Sequence, residues 1–123
     1  MSDAKILVVD DVTSMRNVTK SILTVADYTN VTLATDGDNA LELLNQEPYD
    51  LIICDWEMPN MSGLEVLITI RKNEKLKDIP FLMLTGMTDK TKADVAIKSG
   101  ATDYVIKPIQ ASSLIEKINK CLA

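Results

Sequence analysis

Short, nearly continuous apolar runs alternate along the chain with longer segments whose apolar residues recur every three or four positions. The runs are 5–10 (KILVVD), 30–35 (NVTLAT), 50–55 (DLIICD), 80–85 (PFLMLT) and 103–107 (DYVIK). Several of them have little polar alternation, as strands buried on both faces require. The segments between them read as helices. Met15, Val18 and Ile22 recur at spacings of three and four, and Ala40, Leu41 and Leu44 make a shorter stripe before Pro48. Leu64, Leu67, Ile68 and Arg71 follow Ser62-Gly63-Leu64-Glu65, a stretch that fits a capping box. Leu114, Ile118, Cys121 and Leu122 form the last stripe. The segment 88–99 is less amphipathic and rich in Lys and Thr, with Gly100 placed to stop it. Five strand-helix repeats predict an α/β fold, a parallel sheet with helices on both faces. No linker, repeat or low-complexity tract divides the chain, so residues 1–123 are expected to form one domain.

Composition narrows the chemistry. Of 123 residues, none is histidine. That excludes a His metal ligand, a His general base and a phosphohistidine on this chain. Aromatics are 4%, so the core must be aliphatic. The formal net charge of -5 argues against nucleic acid, whose phosphates need clustered Lys and Arg. Cys54 and Cys121 have neither metal-motif nor disulfide-framework spacing, which suits a reduced cytoplasmic protein. No signal peptide and no membrane span is expected.

The candidate chemistry lies at the ends of the strands, where ligands bind in such sheets. The first run ends in Asp10-Asp11, the third in Asp55, the fourth in Thr85-Gly86 and the fifth in Lys107-Pro108. The second ends in Thr35-Asp36-Gly37, read as a turn and helix cap only. Taken singly, each residue has an ordinary explanation as a cap, a turn or a solvated charge. Together they place three carboxylates against one lysine, an arrangement that repels unless a cation joins it. Hard oxygen ligands without imidazole point to Mg²⁺. Such a pocket suits phosphoryl transfer, with the Asp55 carboxylate as nucleophile.

These residues resemble the receiver-domain pattern of two-component response regulators, and the resemblance extends over essentially the whole chain. Residues 55–65 (DWEMPNMSGLE), 8–11 (VVDD) and 14–16 (SMR) look like the chemotaxis branch of that family. The resemblance implies a doubly wound, flavodoxin-like sheet of order 2-1-3-4-5 with five helices. It implies that Asp55 accepts a phosphoryl group from a phosphohistidine on a histidine kinase. It implies Mg²⁺ held by Asp11, Asp55 and the backbone carbonyl of Glu57, with Asp10 acting through water. Lys107 would pair with one phosphoryl oxygen, Thr85 would hydrogen-bond another, and Lys107-Pro108 would be cis. Tyr104 would fill the space Thr85 vacates, altering a partner face that carries Lys90, Tyr104, Ile109, Lys117 and Lys120.

Three departures bear on the output. Glu57 stands where chemotaxis members carry Asn, and Met87 where they carry Glu. Both positions border the path of the water that hydrolyses the phosphoaspartate. An apolar Met87 leans toward slower hydrolysis, whereas Glu57 helps or repels the water. Ile109 replaces a Phe on the partner face. The chain ends after its fifth helix, so the expected output is binding by a monomer rather than catalysis. A flagellar motor switch protein is the leading partner, with another effector or a phosphatase as further ones. A phosphate sink or relay shuttle is the alternative. A phosphatase of the haloacid-dehalogenase type is disfavoured, since it needs Asp-x-Asp after the first strand and a substrate cap. A flavin binder is disfavoured too, since Asp10-Asp11 would repel its phosphate and no Gly-rich phosphate loop occurs. The intact set at the strand ends argues against a receiver that is never phosphorylated.

Overall fold

The computed structural model describes residues 3–86 and 90–123, with Lys90 described in its backbone only. The elements run β1 (Ile6–Val9), α1 (Thr13–Val25), β2 (Val31–Ala34), α2 (Gly37–Gln46), β3 (Leu51–Asp55), α3 (Gly63–Arg71), β4 (Phe81–Gly86), α4 (Lys90–Lys98), β5 (Asp103–Lys107) and α5 (Ala111–Leu122). All strand pairings are parallel and the order is β2-β1-β3-β4-β5. The chain therefore has the doubly wound order that the family resemblance implied.

The apolar runs explain the layering. Successive side chains of a strand point to opposite faces. Leu7, Val9, Ile52, Cys54, Phe81 and Met83 enter one core with α2, α3 and α4. Ile6, Val8, Leu51, Ile53, Leu82 and Leu84 enter the other with α1 and α5. All twelve are wholly buried. Each large aliphatic among them contributes roughly 1.5–3 kcal/mol, so the central strands are the firmest part of the molecule.

The helices depart from the expected stripes in instructive ways. On α1 the fully buried residues are Thr19 and Leu23, with Met15 and Ile22 half-buried and Val18 exposed. The buried stripe is thus rotated by about one residue from the expected one, because a threonine occupies a core position. On α3, Val66, Leu67 and Ile70 face the core, while Ile68 lies at the exposed edge. Arg71 is half-buried and donates to the carbonyls of Lys77, Ile79 and Gly100. The Ser62/Glu65 capping box forms in full. Asp36 caps α2 by accepting from the Asn39 amide at 2.7 Å. Past α4, Gly100 adopts φ 111°, a left-handed conformation that favours glycine. A Cβ there would also press on the Arg71 side chain at 3.0 Å.

Candidate functional site

The strand register assembles the site. Val9 pairs with Cys54, so the next position on each strand brings Asp10 beside Asp55. Asp55 pairs with Leu84, one residue before Thr85, and Gly86 pairs with Lys107. One edge of the sheet thereby gathers Asp10, Asp11, Asp55, Thr85 and Lys107. One carboxylate oxygen from each of the three aspartates lies within 4.8 Å of the other two. Lys107 Nζ donates to Asp55 Oδ1 at 2.8 Å, and the Lys107-Pro108 peptide is cis.

Backbone and neighbouring side chains hold these groups in place. Asp10 Oδ1 accepts from the Val12 amide at 3.0 Å, and its carbonyl accepts from Arg16 Nη1 at 2.7 Å. Neither aspartate serves as the N-cap of α1: Val12 occupies that position and makes no side-chain cap. Below Asp55 the chain turns through Asn60, with φ 68°, into α3. Gly63 closes this turn, its amide donating to the Trp56 carbonyl at 2.8 Å. A Cβ on Gly63 would stand 2.3 Å from the Asp55 carbonyl oxygen. The approach of α3 to the strand end thus requires glycine.

Electrostatically the pocket is unbalanced. Burial pushes the Asp55 carboxyl above its ordinary value, Lys107 pulls it back, and Asp10 and Asp11 raise it again. Asp10 Oδ2 and Thr85 Oγ1 are buried and have no hydrogen-bond partner among the described residues. A buried oxygen left without a partner is costly. A third such oxygen, Thr19 Oγ1, belongs to α1, but these two flank Asp55, one an anionic acceptor and the other a hydroxyl. A hard divalent cation would satisfy the first, and a group bearing acceptor oxygens the second. The all-oxygen donor set therefore fits Mg²⁺, with Asp10, Asp11 and Asp55 as the residues to hold it. Cys54 takes no part, since complete burial and the Asp55 and Asp10 charges push its thiol well above the ordinary value.

The other expected residues divide into two groups. The Glu57 carboxylate lies outside the aspartate cluster and accepts from Lys92 Nζ at 2.6 Å. That contact holds its pKa below the usual carboxylate value. Met87 lies outside the described residues, as does the Lys90 side chain. On the β5-α5 side, Lys117 Nζ donates to the Tyr104 carbonyl at 2.5 Å and lies 4.7 Å from the centre of the Tyr104 ring. Tyr104 is half-buried against the core beneath α4, and Ile109 packs on the opposite core. Lys120 is exposed beside Glu116. A groove of about 450 Å³ runs between β5 and α5, lined by Tyr104, Lys107, Pro108, Gln110, Ser113 and Lys117 among others. No helix among the described residues is long and apolar enough to cross a membrane.

Sequence reading missed three contributors. In the sequence Gly63 stands out only as part of a capping box, and Arg16 only within a family-like triplet. Lys92 pairs across 35 positions, and no local pattern announces such a contact.

Comparison with known proteins agrees with this geometry. Residues 6–119 match the model of the response regulator receiver domain. The chain is 40% identical over 116 residues to the chemotaxis protein CheY of Pseudomonas aeruginosa, covering 94% of both chains. It is 38% identical to CheY-3 of Vibrio cholerae, covering 94% of this chain and 89% of that one. Among solved structures, the chemotaxis response regulator CheY4 of Vibrio cholerae superposes with a TM-score of 0.90 at 35% identity, covering 98% of this chain and 100% of that one. A response regulator receiver domain protein from Clostridium thermocellum gives 0.87 at 32% identity, covering 97% and 94%.

Proposed function

We propose, from the premise that this chain belongs to the response regulator receiver family, that Asp55 is its phosphoacceptor and that phosphorylation controls a binding surface. The observation that carries this reading is the Lys107–Asp55 contact at 2.8 Å inside a cluster of three carboxylates. The phosphodonor is a phosphohistidine on a partner histidine kinase, since this chain has no histidine. An Asp55 oxygen attacks phosphorus, the phosphorus–nitrogen bond breaks, and the imidazole leaves with its electron pair. Bound Mg²⁺ supplies charge neutralisation for the transferring group. Asp11, Asp55 and the Glu57 carbonyl would hold it, with Asp10 acting through water. Lys107 stays on the acceptor and pairs with a phosphoryl oxygen. The orphaned Thr85 hydroxyl gains its missing partner by donating to another.

Tyr104 carries the change outward. As Thr85 moves toward the phosphoryl group, the Tyr104 ring takes up the vacated space, and the surface of α4, β5 and α5 is re-formed. This is a population shift between two packings, biased by one hydrogen bond. The partner face comprises Lys90, Tyr104, Ile109, Lys117 and Lys120. The two relatives at 40% and 38% identity are chemotaxis proteins, which supports a chemotactic output with a flagellar motor switch protein as partner. Incubation with a small phosphodonor and Mg²⁺ should add the mass of one phosphoryl group to the wild type and none to Asp55→Asn. A pull-down with motor switch protein, with and without a phosphate mimic, tests the output. Equal binding in both states would favour a phosphate sink or relay shuttle.

A further inference from the structure

The strongest feature that the phosphoacceptor reading leaves unused is the contact across the mouth of the pocket. Lys92, in the first turn of α4, donates to Glu57 Oε1 at 2.6 Å, and its Nζ lies 5.6 Å from the centre of the Trp56 ring. Two partners from one loop thus converge on a single ammonium. Trp56, Glu57, Met58, Pro59, Ser62 and Lys92 line a surface cavity of about 520 Å³ along the loop that follows Asp55. Across the described residues of α4, only Ala93 and Ala96 are fully buried, while Val95 and Ile97 are exposed. Alanines bury little area, so apolar packing anchors this helix weakly. A side-chain tether to the β3-α3 loop therefore matters more here than it would on α5.

We propose that Lys92 is a positioning residue: it latches α4 to the β3-α3 loop and holds the Glu57 carboxylate out of the aspartate pocket. Glu57 is two residues from Asp55, so without the latch a fourth carboxylate is free to join the other three at the pocket mouth. The affinity of an oxygen-lined site for a divalent cation rises with the number of charged ligands. The latch therefore sets the Mg²⁺ affinity below what the sequence's acid content would give, and it ties that affinity to the position of α4. The inference rests on reading the aspartates as a Mg²⁺ site.

The test is Mg²⁺ binding by calorimetry, which is independent of the Trp56 emission that Lys92 itself would alter. Lys92→Met keeps the apolar stem and removes the charge; Lys92→Arg keeps the charge. Lys92→Met is expected to tighten Mg²⁺ binding about threefold or more, and Lys92→Arg to leave it at the wild-type value. In a Glu57→Gln background, Lys92→Met is expected to change nothing, because no carboxylate remains to release. Equal tightening in both backgrounds would mean that loss of the cation alone acts through the field of the pocket, and would overturn the latch. No tightening in either background would overturn it as well. Absence of Mg²⁺ binding by the wild type would overturn the reading of the pocket and the latch with it.

Discussion

Thr85 and Asp55 show at the scale of single residues how the fold stores a cost at its strand ends. The Thr85 hydroxyl is buried without a partner among the described residues. Thr85→Val removes that unsatisfied group while keeping the branched shape, so it should stabilise the protein by about 1 kcal/mol in denaturant unfolding. The same substitution should abolish the response of the α4-β5-α5 surface to phosphate. Asp55 stores a second cost. Its carboxyl is raised above the ordinary value because burial and two neighbouring carboxylates outweigh Lys107. Without Mg²⁺, Asp55→Asn should therefore be more stable than wild type at neutral pH. A raised folded pKa means that the wild type suffers no penalty below the unfolded value near ~4. The penalty grows as pH rises through the higher folded value. The difference between the two proteins should accordingly vanish in acid, which unfolding curves at several pH values would reveal. Mg²⁺ at about 100 times its dissociation constant should add ~2.7 kcal/mol to the wild type and much less to Asp55→Asn.

At the scale of elements, the loop from β3 to α3 and the helix α4 are the parts that position chemistry. Gly63 lets α3 start directly beneath the Asp55 carbonyl. In Gly63→Ala the new Cβ would meet backbone atoms, the Asp55 oxygen at 2.3 Å and Trp56 Cα at 2.9 Å. Backbone cannot step aside as a flexible side chain can, so a loss of about 2–4 kcal/mol is expected. Thermal unfolding would register it, and Mg²⁺ binding should weaken in parallel because Asp55 shifts. The elements themselves were plainly legible in the sequence. Their apolar runs and caps are local signals, and the Asp36 cap and Ser62/Glu65 box form where the residue pattern puts them. The rotation of α1 was not legible. Thr19 is polar by type yet wholly buried, so counting apolar residues placed Val18 inward instead.

At the scale of the molecule, a two-sided core brings chemistry from four strands to one edge. Strand alternation sends neighbouring residues to opposite layers, and parallel register then aligns the strand ends. This is why the aspartates, Thr85 and Lys107 were readable as a group from sequence: each stands at the end of an apolar run. Contacts made by side chains reaching between loops were not readable. Lys92 on Glu57 and Arg16 on the Asp10 carbonyl depend on helix placement that no local pattern encodes. The missing histidine takes on a definite meaning in this frame, since the reaction proposed for Asp55 needs a phosphohistidine that only a partner can bring. Trp56, the single tryptophan, adjoins Asp55 and is placed to report on that reaction. Its fluorescence should change on adding Mg²⁺, then change again on adding a small phosphodonor, and Asp55→Asn should not give the second change. A wild type silent to the phosphodonor in the presence of Mg²⁺, or an Asp55→Asn variant that responds as the wild type does, would contradict Asp55 as the phosphoacceptor.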